Sequence, residues 1–179
     1  MHVVIVPGWN DSGPGHWQTL WEKKFKGTRI QQKNWFKPNW EDWIQDTVAQ
    51  IAALDGPVVI AAHSLGCFAV AGFAARGRTD RVIGALLVAP PDLEQENLPS
   101  PLVDFRKIPL AELPFPSVLV SSTNDPWCSE ERAKRLAKTW GSQHYSLGAK
   151  GHINIDAGFG LWPEGEKLLA QLVGQHLPG

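Results

Sequence analysis

The chain is poor in several residue types, and each shortage excludes a class. It has two cysteines in 179 residues, Cys67 and Cys128. That excludes a disulfide-stapled miniprotein, and the pair shows no metal-ligand spacing. Both are read as reduced, inert small hydrophobes, with redox control of a site as the minor alternative. No run of Lys or Arg occurs, and the formal net charge is −1. The chain therefore has no net basic field to hold nucleic acid or an anionic membrane. Long apolar runs are also missing. The longest, around Val58–Ala62 and Ile83–Ala89, fall far short of a bilayer span. The start, Met1-His2-Val3-Val4-Ile5-Val6-Pro7, lacks a basic region and a small-residue cleavage site, so it reads as a first strand and the expected location is cytoplasmic.

What is present is an ordinary globular composition, 43% hydrophobic and 20% charged, at a length that predicts one domain over residues 1–179. Short apolar runs alternate with helical patterns. The runs are His2–Val6, Val58–Ala62, Val82–Ala89 and Ser117–Ser121, with weaker candidates at Thr28–Gln32 and Gln143–Leu147. Apolar runs without a polar alternation suit strands buried on both faces. Between them, Trp40, Trp43, Ile44, Val48 and Ile51 recur at helical steps behind a capping Asn39. Ala133, Leu136, Ala137 and Trp140 do the same behind Ser129, and Pro163 opens a last helix. The predicted architecture is α/β: a doubly wound, mostly parallel sheet of about six strands.

Segment Pro90–Pro116 interrupts the alternation. It carries seven of the 14 prolines, so regular helix is not expected over most of it. It reads as a long surface excursion, either edging a site or serving as a stiff connector.

Chemistry enters at Ala62-His63-Ser64-Leu65-Gly66, which follows one apolar run directly and precedes a helical pattern over Cys67–Ala75. This is the nucleophile elbow G-x-S-x-G with Ala in the first position. The tight turn lifts the serine hydroxyl clear of the sheet, and small residues on either side let strand and helix approach. A plain capped strand–helix turn is the alternative. A hydrolase of this type needs Ser, then an acid, then His along the chain. Asn124-Asp125-Pro126 follows the run Ser117–Ser121, and Gly151-His152 follows the last weak strand. Ser64, Asp125 and His152 would then share one sheet edge. A serine hydroxyl needs a base, an imidazole supplies it at neutral pH, and a carboxylate fixes the imidazole tautomer. Asp92 is the competing acid, lying just past Val82–Ala89. His63 should point away from Ser64 and reads as structural. His144, His176 and His2 read as packing or surface histidines.

An oxyanion hole needs two N–H donors. Leu65, after the nucleophile, is one. Trp9, in the loop Pro7-Gly8-Trp9-Asn10-Asp11-Ser12-Gly13, is the other, unless that loop is only a turn into a helix over His16–Phe25. Six of the nine tryptophans fall in the first 43 residues. Most read as core, but Trp9 and Trp127 neighbour site loops and are candidate walls of a substrate pocket.

The segments Pro7–Gln18, His63-Ser64-Leu65-Gly66, Asn124-Asp125-Pro126 and Gly151-His152-Ile153-Asn154 together resemble the small lidless serine hydrolases of the retinoblastoma-binding protein 9 family. Bacterial members of that family are known as predicted esterases of the alpha/beta hydrolase superfamily. The resemblance spans nearly the whole chain. It implies a trimmed alpha/beta hydrolase fold without a cap domain, and the triad Ser64, Asp125 and His152. The expected function is a serine hydrolase, carboxylesterase-like, cleaving small acyl esters with no metal or organic cofactor. The alternative is a protein-interaction module on a hydrolase scaffold. For a retinoblastoma-type partner the expected L-x-C-x-E signature is approached only by Leu65-Gly66-Cys67-Phe68-Ala69, which lacks the Glu.

Overall fold

The computed structural model describes residues 1–174 and 177. Among these residues six strands form one sheet: β1 (His2–Val6), β2 (Thr28–Arg29), β3 (Val58–His63), β4 (Val82–Val88), β5 (Ser117–Ser121) and β6 (Gln143–Ser146). Their order is β2-β1-β3-β4-β5-β6, and every pairing is parallel. The sheet, expected to be mostly parallel, is wholly parallel among the described residues. The continuous apolar runs are the reason: β1, β3, β4 and β5 are buried almost throughout. The second strand is shorter than Thr28–Gln32, with only Thr28 and Arg29 in the ladder.

Among the described residues five α-helices cover the two faces: α1 (Trp17–Lys24), α2 (Trp40–Ala52), α3 (Gly66–Arg76), α4 (Glu130–Trp140) and α5 (Pro163–Val173). Alternate residues of each strand serve opposite faces. Val4, Val6, Ile60 and Leu87 join Trp43 and Ile44 of α2, Phe68 and Phe73 of α3, and Leu136 and Trp140 of α4. Val3, Ile5, Val59 and Leu86 join Trp17 and Trp21 of α1 and Leu169 of α5. Trp17, Trp21, Trp43 and Trp140 are essentially fully buried, so tryptophan fills both layers of the core. The helix starts follow local chemistry. Asn39 Oδ1 accepts from the Glu41 and Asp42 amides, and Ser129 Oγ accepts from the Arg132 amide. The αL residue Gly141 ends α4.

The proline-rich segment corrects the sequence reading. It holds a 3-10 helix over Ser100–Lys107, and it is no mere surface excursion. Leu93, Leu98, Leu102, Phe105, Ile108, Leu113 and Phe115 are all buried in the core on the α2–α4 face. Prolines forbid a long α-helix but are tolerated at the start of a short one, so Pro99 and Pro101 shape this turn while its apolar side chains still reach inward. Phe105 meets Trp43 edge-to-face with ring centroids 5.5 Å apart. Among the described residues no helix is long and apolar enough to cross a membrane.

The sheet order places the functional edge. After β1 the chain adds β2 on one side, then crosses to β3 on the other. The β1 and β3 loops therefore diverge at a topological switch point, where open α/β sheets leave a crevice.

Candidate active site

The elbow after β3 is strained and closely packed. Ser64 has φ +53°, a left-handed conformation that non-glycine residues rarely adopt. Its amide donates to Val88 O at 2.8 Å, locking the turn onto β4. A Cβ at Gly66 would stand 2.3 Å from Val6 O, and one at Gly8 would stand 2.8 Å from Ser64 Cβ. The β1 loop and the elbow therefore touch backbone to backbone, and only glycine fits both positions. The buried Gln18 secures this junction, donating to Val6 O at 3.1 Å and Ala61 O at 2.9 Å.

Ser64, Asp125 and His152 come together from three loops. His152 Nε2 lies 3.0 Å from Ser64 Oγ. His152 Nδ1 lies 2.9 Å from Asp125 Oδ2 and 3.0 Å from Oδ1. The acid is almost fully covered, its side chain 2% exposed, and it also accepts from the Trp127 amide. The loops carrying acid and imidazole are tied to each other: Asn124 Oδ1 accepts from the Gly151 amide at 2.7 Å, and Ser122 Oγ accepts from the Lys150 amide at 2.8 Å. Asp92, the competing acid, faces elsewhere. Its Oδ1 accepts from Arg132 Nε at 3.1 Å and from the Glu94 amide.

Two buried donors hold the backbone of the imidazole loop from below. His63 Nε2 is 2.9 Å from His152 O and acts as its donor, and Trp17 Nε1 donates to Ile153 O at 3.0 Å. The backbone here is left-handed at Gly151, with φ +57°, and at Ile153, with φ +51°, where a β-branched residue is strained. His63 is structural, as its place in the strand implies, but it acts directly on the candidate catalytic loop. The sequence carries no periodicity or motif for this role, because donor and acceptor are 89 residues apart.

Three imidazoles meet at this junction, edge-on or tilted rather than stacked. The His16 and His63 ring centroids are 4.9 Å apart, as are those of His63 and His152. His16 is pushed down to about 4, mainly by burial and then by the Arg29 and His152 charges. His63 lies well below its ordinary value, again by burial first, then His152 and His16. Both are therefore neutral near pH 7. His16 also caps α1, its Nδ1 accepting from the Gln18 amide.

The Trp9 and Leu65 amides have no acceptor among the described residues, so both remain available at the elbow. The two residues line a cavity of about 210 Å³ together with Asn10, Ser64, Pro91, Leu102, Trp127, His152 and Asn154. Trp9 and Trp127 are thus both at the pocket. The proline-rich segment supplies two of its walls, Pro91 and Leu102. Asn10 and Asn154 are pocket residues as well; the sequence motifs contain both but assign neither a role.

The remaining candidates lie elsewhere. Cys67 and Cys128 are buried free thiols. Burial raises the Cys67 thiol, and burial with the Asp92 and Asp125 charges pushes Cys128 up to about 12. His144 bonds Ser121 Oγ and His2 bonds Asp55 O. His176 lies outside the described residues. Leu65 and Cys67 are fully buried, so the partial L-x-C-x-E signature offers no surface. Among the described residues no group of three His, Cys, Asp and Glu side chains is placed to hold a metal ion.

The family model described as serine hydrolase matches residues 3–171. A YdeN-like hydrolase from Pectobacterium atrosepticum is 33% identical, with a TM-score of 0.86, covering 97% of this chain and 90% of its own. The ydeN gene product of Bacillus subtilis is 21% identical with a TM-score of 0.81, covering 97% of this chain and 99% of its own. Carboxylesterase CesB of Bacillus subtilis is 14% identical with a TM-score of 0.64, covering 97% of this chain and 84% of its own. The last two bear on the fold alone. No curated protein matches the chain significantly.

Proposed function

The chain belongs to the serine hydrolase family, and from that premise we propose that it is a carboxylic ester hydrolase working through an acyl-enzyme on Ser64. The observation that carries this reading is the continuous path Ser64 Oγ–His152–Asp125, at 3.0 and 2.9 Å, opening into the cavity. Ser64 Oγ attacks the ester carbonyl carbon while His152 Nε2 takes its proton. Asp125 holds Nδ1–H and balances the imidazolium. The oxygen that gains charge is received by the Trp9 and Leu65 amides. His152 then gives its proton to the departing alcohol oxygen, and a water, activated by the same imidazole, releases the acid and restores Ser64. No step calls on a metal or organic cofactor.

Substrate size follows from the walls. Pro91, Leu102 and Trp127 offer an apolar surface in a cavity of about 210 Å³. Each buried methylene contributes about 0.8 kcal/mol at most, and the gain ends where the chain leaves the wall. Acyl groups of about two to six carbons should give the highest kcat/KM. The test is hydrolysis of p-nitrophenyl acetate and butyrate by the wild type and Ser64→Ala. Wild-type turnover that falls at least ~10³-fold in Ser64→Ala supports the reading. Equal turnover by both proteins overturns it.

A further inference from the structure

The cavity differs in chemistry on the two sides of Ser64. Pro91, Leu102 and Trp127 form an apolar side. They come from the segments after β4 and β5, which are joined where the Asp92 amide donates to Trp127 O at 2.8 Å. Asn10 and Asn154, with Trp9 beside Asn10, come from the other two loops that line the cavity. Asn10 follows β1, and the sheet order puts β1 and β4 on opposite sides of β3. Asn154 follows His152, and the loop there folds over toward β1. A Cβ at Gly15, in the β1 loop, would stand 2.9 Å from Ile155 Cδ1.

Both asparagines have donors to spare. Asn154 Oδ1 accepts from the Ala157 amide at 3.1 Å, which fixes the side chain, and its two N–H donors have no acceptor among the described residues. The Asn10 side chain has no partner among the described residues. Its backbone is held, with φ +68° and its amide donating to Trp35 O at 3.1 Å. Among the described residues no Lys, Arg, Asp or Glu lines the cavity, so apart from His152 it holds no ionisable group to pair with a charged substrate. The direction of proton transfer identifies which part of the substrate meets these amides. His152 Nε2 must reach the departing oxygen, so the alcohol lies beside His152; the Trp127 ring borders His152 on one flank, with ring centroids 6.2 Å apart, and Asn154 stands two residues further along the chain.

We propose that Asn10 and Asn154 form a leaving-group subsite for uncharged, hydroxylated alcohols, which makes short-chain acyl esters of polyols the substrate class. This rests on the hydrolase reading above and deepens it. The hydroxyls of the alcohol accept hydrogen bonds from the two primary amides, and the acyl chain lies against Pro91, Leu102 and Trp127.

The test compares glyceryl monobutyrate with propyl butyrate, which share a carbon skeleton and differ by two hydroxyls. Butyrylcholine and carboxymethyl butyrate serve as the cationic and anionic counterparts. The wild type should favour the glyceryl over the propyl ester by about tenfold in kcat/KM, with both charged esters below the glyceryl one. The preference should fall to near one in the double variant Asn10→Ala, Asn154→Ser, where the serine hydroxyl still caps the Ala157 amide. A second measurement needs only the wild type. The butyryl-enzyme is offered glycerol or 1-propanol, either of which takes the acyl group from Ser64 and returns the hydroxyl proton through His152. Faster transfer to glycerol supports the subsite. No glyceryl preference in either measurement, a preference that survives in the folded double variant, or a charged ester ahead of glyceryl overturns it. Fluorophosphonate labelling of Ser64 separates the two levels. A protein that labels but shows no alcohol preference loses the subsite alone, and one that does not label loses the hydrolase reading as well.

Discussion

Lowering the pH from 7 to 5 should destabilise the fold through two buried histidines, and replacing His16 by Asn should remove a defined part of that loss. His16 and His63 are each about 5% exposed or less. Burial, with the Arg29 and His152 charges, holds His16 at about 4, and burial holds His63 well below its ordinary value. In the unfolded chain an imidazole titrates near 6.5. The unfolded state therefore binds protons that the folded state refuses. Stability is fully present above the unfolded value and falls as the pH drops from about 6.5 towards the depressed folded values. Over that range each pH unit costs about 1.36 kcal/mol per histidine, so His16 accounts for a loss of about 2 kcal/mol between pH 7 and pH 5. His63 acts in the same direction. Asn is the chosen replacement because its Oδ1 takes over the acceptor role that His16 Nδ1 plays for the Gln18 amide. The carboxylates on Arg29, from Asp11 and Glu22, are present in both proteins and cancel in the comparison. Urea unfolding followed by tryptophan fluorescence at pH 7, 6 and 5 is the assay. The wild type should lose more than about 2 kcal/mol, and His16→Asn should lose about 2 kcal/mol less than the wild type. Parallel pH dependences in the two proteins would refute the reasoning.

Three further substitutions test the site. Asp125→Asn should lower kcat by about 10³–10⁴-fold in ester hydrolysis with the far-UV circular dichroism unchanged, because the His152 tautomer is lost; full activity there with loss in Asp92→Asn would move the acid to Asp92. Gly66→Ala should lower the melting temperature and abolish turnover, because the new methyl would meet Val6 O at 2.3 Å; a normal melt would show that the elbow has room to relax. Trp127→Ala should shrink the kcat/KM ratio of butyryl over acetyl p-nitrophenyl esters, up to about tenfold if both extra methylenes lose their wall; an unchanged ratio would place the acyl chain elsewhere.

The four central strands are legible in the sequence because β1, β3, β4 and β5 are buried on both faces and read as unbroken apolar runs. The helices are legible through their caps, as at Asn39 and Ser129. The edge strands read weakly for the same reason in reverse: β2 and β6 have no fully buried residue, so their sequences carry little signal. Phe105 and Leu102 do not read as core because prolines on either side mask a short 3-10 turn. Within the site, Ser64 announces itself through local steric needs, and Asp125 and His152 through chain order and turn residues. His63, Gln18, Asn10 and Asn154 do not, because each acts on a partner distant in sequence or on the cavity itself. The neutrality of His16 and His63 is likewise a product of burial, which no spacing encodes.

The measurement that bears most directly on the account is labelling of the folded protein with a fluorophosphonate probe, followed by mass spectrometry of the modified peptides. A phosphonyl group is captured only by a serine whose base and oxyanion donors are already arranged, so the reaction reads the whole constellation at once. One adduct per chain, on Ser64, is the predicted result. No labelling of the folded protein, or a stoichiometric adduct on another serine, would contradict it.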